Sequence, residues 1–149
     1  MLDEKDMNTF ASIKVGEKAH FSKTIGETDL YLYCGISGDF NPLHVDQIYA
    51  SKGLFRGKIV HGLLVASFIS NVLGTQLPGP GTIYLSQDLS FINPVYIGDT
   101  VTTTVEVLKK ISFKKHMILR IFCANQGGEI VLDGKARVLF DPEMQQGAS

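Results

Sequence analysis

The chain is poor in cysteine, shows no excess of one charge sign, and contains no apolar run long enough to span a bilayer. Cys34 and Cys123 are its only cysteines; they lie far apart and outside any CxxC pair, so no redox motif or zinc ribbon is indicated and both are expected to be buried thiols. A bridge between them is not needed at 149 residues. The 14 Lys and Arg are balanced by 15 Asp and Glu, and a net charge of −1 excludes the strongly basic footprint of a nucleic-acid binder. The start of the chain carries Asp3, Glu4, Lys5 and Asp6 in place of the basic start and apolar core of a signal peptide. The expectation is therefore a cytoplasmic protein with neither a nucleic-acid nor a membrane partner.

With 44% hydrophobic and 19% charged residues, the chain can bury one substantial core, and a single domain over residues 1–149 is expected. No Pro/Gly/Ser linker or internal repeat divides it. Glu17 to Thr24 reads as a short strand. A helix is expected from Thr28, as cap, to Cys34, and a brief one from Pro42 to Ser51. From His61 to Leu73, apolar residues occupy nearly the whole circumference of a helical wheel, so this helix must be enclosed on most sides. Gly74 is placed to terminate it, and Thr75 to Thr82, with Pro78, Gly79, Pro80 and Gly81, reads as a loop. Four segments with a period near two follow: Ile83 to Phe91, Val101 to Val107, Met117 to Cys123, and Ile130 to Phe140 after a Gln126-Gly127-Gly128 turn. One buried helix plus an antiparallel sheet is an α+β layout.

The chemistry concentrates in Ile36-Ser37-Gly38-Asp39-Phe40-Asn41-Pro42-Leu43-His44-Val45-Asp46. Pro42 disfavours α conformation at Asn41 and itself suits the first helical position, so Asn41 is expected to cap a helix with His44 in its first turn. Asp39 then lies just before the bend and His44 just after it, where a carboxylate and an imidazole can converge on one water for general acid-base work. The structural alternative is a loop-to-helix junction in which Asp39 merely bonds nearby amides.

The stretch Tyr33 to Asp46, with Lys58-Ile59-Val60-His61-Gly62-Leu63 downstream, resembles the hydratase 2 motif of the MaoC-like, (R)-specific enoyl-CoA hydratases in both parts and in their separation. The resemblance runs from about Glu17 to Asp141. It implies a hot-dog fold, in which a curved antiparallel sheet wraps a long central helix and pairs with a second subunit as a homodimer or a dimer of dimers. It further implies reversible hydration of trans-2-enoyl-CoA to (R)-3-hydroxyacyl-CoA, with Asp39 and His44 activating water. Coenzyme A would enter only as part of the acyl-CoA substrate, with no separate cofactor.

Gly62 opens the apolar helix, where amides lack internal partners and the dipole favours negative charge; it matches the family position whose amide meets the thioester oxygen. Its alternative role is to permit close packing. Ser70, two turns further on, matches a position that supports the active site by hydrogen bonding. Asn41, His61, Phe55 and Leu63 complete the expected substrate-binding set. Tyr31, Leu32, Leu85 and Phe91 are further candidates to line an acyl tunnel, or to be core.

His61, His44, Asp39 and Asp46 lack HExxH or other ligand spacing, so no metal is expected. Gly53 to Lys58 is not a phosphate loop: the glycines are too close and no Ser or Thr follows Lys58. Lys109, Lys110, Lys114 and Lys115 cluster about a turn, either as a solvated hairpin tip or as a contact for coenzyme A phosphates or an acidic carrier. Other activities open to this pattern are dehydration of a 3-hydroxyacyl group on carrier protein, hot-dog thioester hydrolysis, and acyl-CoA binding without turnover.

Overall fold

The computed structural model describes residues 8–142. The acidic start read above, residues 1–6, lies outside them. Five strands, β1 (Lys18–Thr24), β2 (Ile83–Phe91), β3 (Thr100–Ile111), β4 (His116–Ala124) and β5 (Ile130–Leu139), form one antiparallel sheet in the order β1-β3-β4-β5-β2. In the central strands alternate residues are buried. Val101, Thr103, Val105 and Val107 of β3 point to the same face as Met117, Leu119, Ile121 and Cys123 of β4. The period of two thus becomes one continuous apolar surface.

The long helix α4 (Gly62–Thr75) lies on that surface and buries Leu64, Val65, Phe68, Ile69, Val72 and Leu73. Phe68 meets Phe21 of β1 edge to face, with ring centroids 6.0 Å apart. Within one chain the enclosure is incomplete, because Leu63, Ser67 and Ser70 stay exposed on the outer side of α4. Gly74 does not end the helix as expected. It sits inside the last turn, and the cap is Gln76, whose amide bonds the Val72 carbonyl.

The other helices also correct the sequence reading at their ends. Helix α1 (Glu27–Ser37) starts at Gly26 rather than Thr28, because the Gly26 amide donates to the Asp29 carboxylate at 2.8 Å. That bond, helped by Lys23, holds the Asp29 carboxyl below its ordinary range. The single brief helix expected over Pro42–Ser51 is two, α2 (Pro42–Val45) and α3 (Gln47–Ser51). Asp46 leaves helical geometry between them and caps α3, accepting from the Tyr49 amide at 2.9 Å.

Both cysteines are free and fully buried, as expected. Burial, with the nearby Asp39 charge, raises the Cys34 thiol pKa, and burial pushes Cys123 up to about 11. No helix of the described residues is long and apolar enough to cross a membrane.

Candidate active site

The candidate corner begins where α1 ends. Gly38 takes a left-handed conformation (φ 75°) and its amide closes the helix on the Cys34 carbonyl at 2.8 Å. The chain then turns through a series of short bonds. The Asp39 amide donates to Ser37 Oγ (3.1 Å), the Asn41 amide to Asp39 Oδ1 (3.0 Å), and the Leu43 amide to Asn41 Oδ1 (3.1 Å). Asn41 is thus the cap of α2, with Pro42 at its first position. One carboxylate oxygen of Asp39 is consumed by the turn, and Oδ2 remains for other work.

His44, on α2, is buried, and its Nδ1 donates to the Ile59 carbonyl at 2.8 Å. In the neutral ring this bond selects the tautomer whose Nε2 carries the lone pair. Nε2 lies 3.9 Å from Asp39 Oδ2. Two acceptors at that separation can each hold one hydrogen of a single water, at an angle of about 90° for ordinary hydrogen-bond lengths.

His61 completes the corner from the start of α4. It is 2% exposed; its ring stacks on His44 with centroids 3.7 Å apart, and Tyr33 meets its other side edge-on. Its Nε2 donates to the Asp39 backbone carbonyl at 3.0 Å, and its buried Nδ1 has no hydrogen-bond partner among the described residues. His61 therefore clamps both the turn that bears Asp39 and the plane of His44.

These groups form the polar end of a cavity of about 630 Å³, a size suited to a small acyl ligand. Its remaining wall is mostly apolar and includes Phe55, Leu63, Val65, Phe91, Val95 and Leu132. Gly62 lines the cavity, and its amide has no acceptor among the described residues. It also answers the packing alternative: a Cβ there would sit 2.6 Å from the Phe91 ring. The open amide and the close approach coincide at one residue.

Asp39, His44, His61, Gly62, Phe55, Leu63 and Phe91 thus meet at one cavity. Other expectations need correction. Ser70 is exposed on α4, outside the cavity, and its side chain has no hydrogen-bond partner among the described residues. Asn41 is spent on its cap and does not line the cavity, and neither do Tyr31, Leu32 and Leu85. Tyr33 and Ser37, which do line it, went unrecognised as site residues, although both fall within the motif segment. The Ile59 carbonyl that orients His44 had no signal to find, since every residue carries a carbonyl.

Asp39, His44 and His61 bring ligand-type atoms within 4.8 Å of one another and could surround a divalent ion. Ligation through His61 Nε2 would require that nitrogen to lose its proton and release the Asp39 carbonyl.

A five-stranded antiparallel sheet wrapped on one long helix, with an acid–imidazole corner at the helix start, defines a hot-dog protein equipped for proton transfer. Residues 5–121 match the MaoC like domain. The chain is 47% identical over 137 residues to the (R)-specific enoyl-CoA hydratase of Rhodospirillum rubrum, covering 92% of this chain and 94% of that protein. Among solved structures it resembles R-hydratase PhaJ1 from Pseudomonas aeruginosa (TM-score 0.85, 41% identity, 91% and 86% of the two chains). It also resembles the (R)-hydratase from A. caviae involved in PHA biosynthesis (TM-score 0.83, 45% identity, 85% and 96% covered). The chain belongs to the MaoC-like domain family.

Proposed function

We propose that this protein is a hydro-lyase that reversibly hydrates trans-2-enoyl-CoA to (R)-3-hydroxyacyl-CoA. The observation that carries the reading is the 3.9 Å approach of Asp39 Oδ2 to His44 Nε2 at the polar end of a cavity that also exposes the Gly62 amide. A water donating to both acceptors turns its lone pairs away from them, toward an acyl chain in the cavity.

Attack forms the oxygen–carbon bond at C3 as the water proton passes to the acid–imidazole pair. The C2–C3 π electrons move onto the thioester oxygen, where the Gly62 N–H at the head of α4 stabilises the enolate. Protonation at C2 by the pair completes the addition and restores its starting state. Asp39, His44 and Gly62 are the catalytic groups, and His61 holds the first two in place. No metal or separate cofactor takes part, and coenzyme A is only the substrate's carrier.

A homodimer or dimer of dimers belongs to this reading, supported by the free apolar edge of β2. A cytoplasmic location accords with the two free thiols. The test is a stereochemical assay with crotonyl-CoA, in which (R)-3-hydroxybutyryl-CoA is expected. An (S) product, or release of free CoA with crotonate as the product, would overturn the proposal. Comparing CoA-linked with carrier-linked substrates separates hydration from carrier-bound dehydration.

A further inference from the structure

A cluster of positive charge lies at the opposite end of the sheet from the cavity. Where β3 turns into β4 through Ser112–Lys114, a second cleft of about 640 Å³ is lined by Lys109, Lys110, Lys114, His116 and Arg137, with no carboxylate in its wall. Lys109, Lys114 and Arg137 are exposed and have no ion-pair partner among the described residues. By contrast, Lys18, Lys23, Lys58 and Arg120 are each matched to an acid. Phe113 stands at the tip, 85% exposed, with Lys114 Nζ 5.5 Å from its ring centre. Unpaired cations beside an open aromatic ring suit a phosphorylated nucleotide, whose phosphates take the charge and whose base takes the ring.

Within one chain this cleft is remote from the cavity. Leu139, which pairs with His116, lies along β5 from the cavity residue Leu132 by about 23 Å at ordinary strand spacing. The free edges of the sheet change that relation. The β1 edge carries Lys18 and Lys23, which discourage pairing, whereas β2 exposes Ile83, Tyr84, Leu85 and Phe91, each at least 40%. An antiparallel pair of β2 with the β2 of a second copy is self-complementary about a two-fold axis. Such pairing sets the Phe91 end of one β2, beside its cavity, against the Ile83 end of the other. Ile83 adjoins Leu139 and, one strand further, His116, so the basic hairpin of one copy comes round to the cavity of its neighbour.

We propose that the basic hairpin is the nucleotide subsite for the substrate held in the other subunit, with the phosphates of coenzyme A on Lys109, Lys114 and Arg137 and the adenine against Phe113. The inference rests on the hydratase reading and on pairing through β2. It predicts that Lys109→Glu/Arg137→Glu raises KM for crotonyl-CoA about tenfold, given the strength of charge-assisted contacts. KM for crotonyl-pantetheine, which has no nucleotide, should rise far less.

Subunit mixing tests the trans arrangement. Combined with Asp39→Asn protein, which has a disabled site and an intact hairpin, the doubly substituted chain should recover a fraction of sites with low KM. No recovery, equal KM changes for the two thioesters, or a monomer in sedimentation overturns the proposal. Calorimetry with adenosine 3′,5′-bisphosphate provides a readout independent of turnover. Binding weakened by both Phe113→Ala and the double substitution supports the subsite, and unchanged or absent binding overturns it. Failure of the unsubstituted protein to hydrate either thioester would instead defeat the hydratase reading, leaving the calorimetric result to judge the subsite alone.

Discussion

The central strands and the Asp39 corner are ordered by different means. In β3 and β4 each buried side chain is one of many, and the order comes from a repeated alternation that any apolar residue of similar volume can maintain. At the corner the order comes from single bonds: Asn41 N–H to Asp39 Oδ1, His44 Nδ1–H to the Ile59 carbonyl, and His61 Nε2–H to the Asp39 carbonyl. A volume-conserving change is therefore nearly harmless in one region and decisive in the other. Stability and turnover should respond to different substitutions.

The strongest challenge to that contrast is Asp39→Asn, which keeps shape and removes a proton acceptor. We expect kcat to fall by about 10²–10⁴-fold with little change in folding or KM, and His44→Gln to behave alike. A variant keeping more than about a tenth of kcat would be too active for the roles assigned.

Leu119→Ala probes the other region. This residue is fully buried in the middle of β4, and its truncation should cost about 2–5 kcal/mol in denaturant unfolding while leaving kcat per folded site unchanged.

His61→Phe sharpens the comparison, since it keeps a ring against His44 and deletes one donor. The expected loss is about tenfold in kcat, the size of one net hydrogen bond, with KM nearly constant and the pH–rate profile altered. A purely structural role would lower stability and leave that profile in place.

Asp29→Ala should produce the smallest effect, about 1 kcal/mol lost from the start of α1. Because the folded carboxyl lies below its ordinary value, its contribution is complete above the unfolded pKa of about 3.9 and disappears as pH falls through the lower folded value. The gap in stability between the native and substituted chains should therefore close in acid.

The same contrast governs what could be seen in the sequence. Strands β2–β5 were legible because alternation is local and redundant, and the Asn41-Pro42 cap because both residues favour the same geometry. Asp39 and His44 were legible as a pair because only five positions separate them. The clamp by His61 was not, since its partner lies 22 residues away and is a backbone carbonyl. Helix ends misled at Gly26, Asp46 and Gly74. At Gly26 and Asp46 one side-chain bond outweighed the composition, and at Gly74 the backbone bonding of α4 ran on, with the Gln76 amide reaching the Val72 carbonyl. Ser70 was placed by resemblance, and the outer side of α4 stays open in the single chain.

Phe91 lies where a Gly62 Cβ would be, so the ceiling above the reacting carbons is borrowed from the last residue of an unsealed strand. The pairing proposed for that strand would therefore also set the headroom of the cavity through Phe91. A change in how two copies met along that strand would then reach the size of the cavity without altering Asp39 or His44.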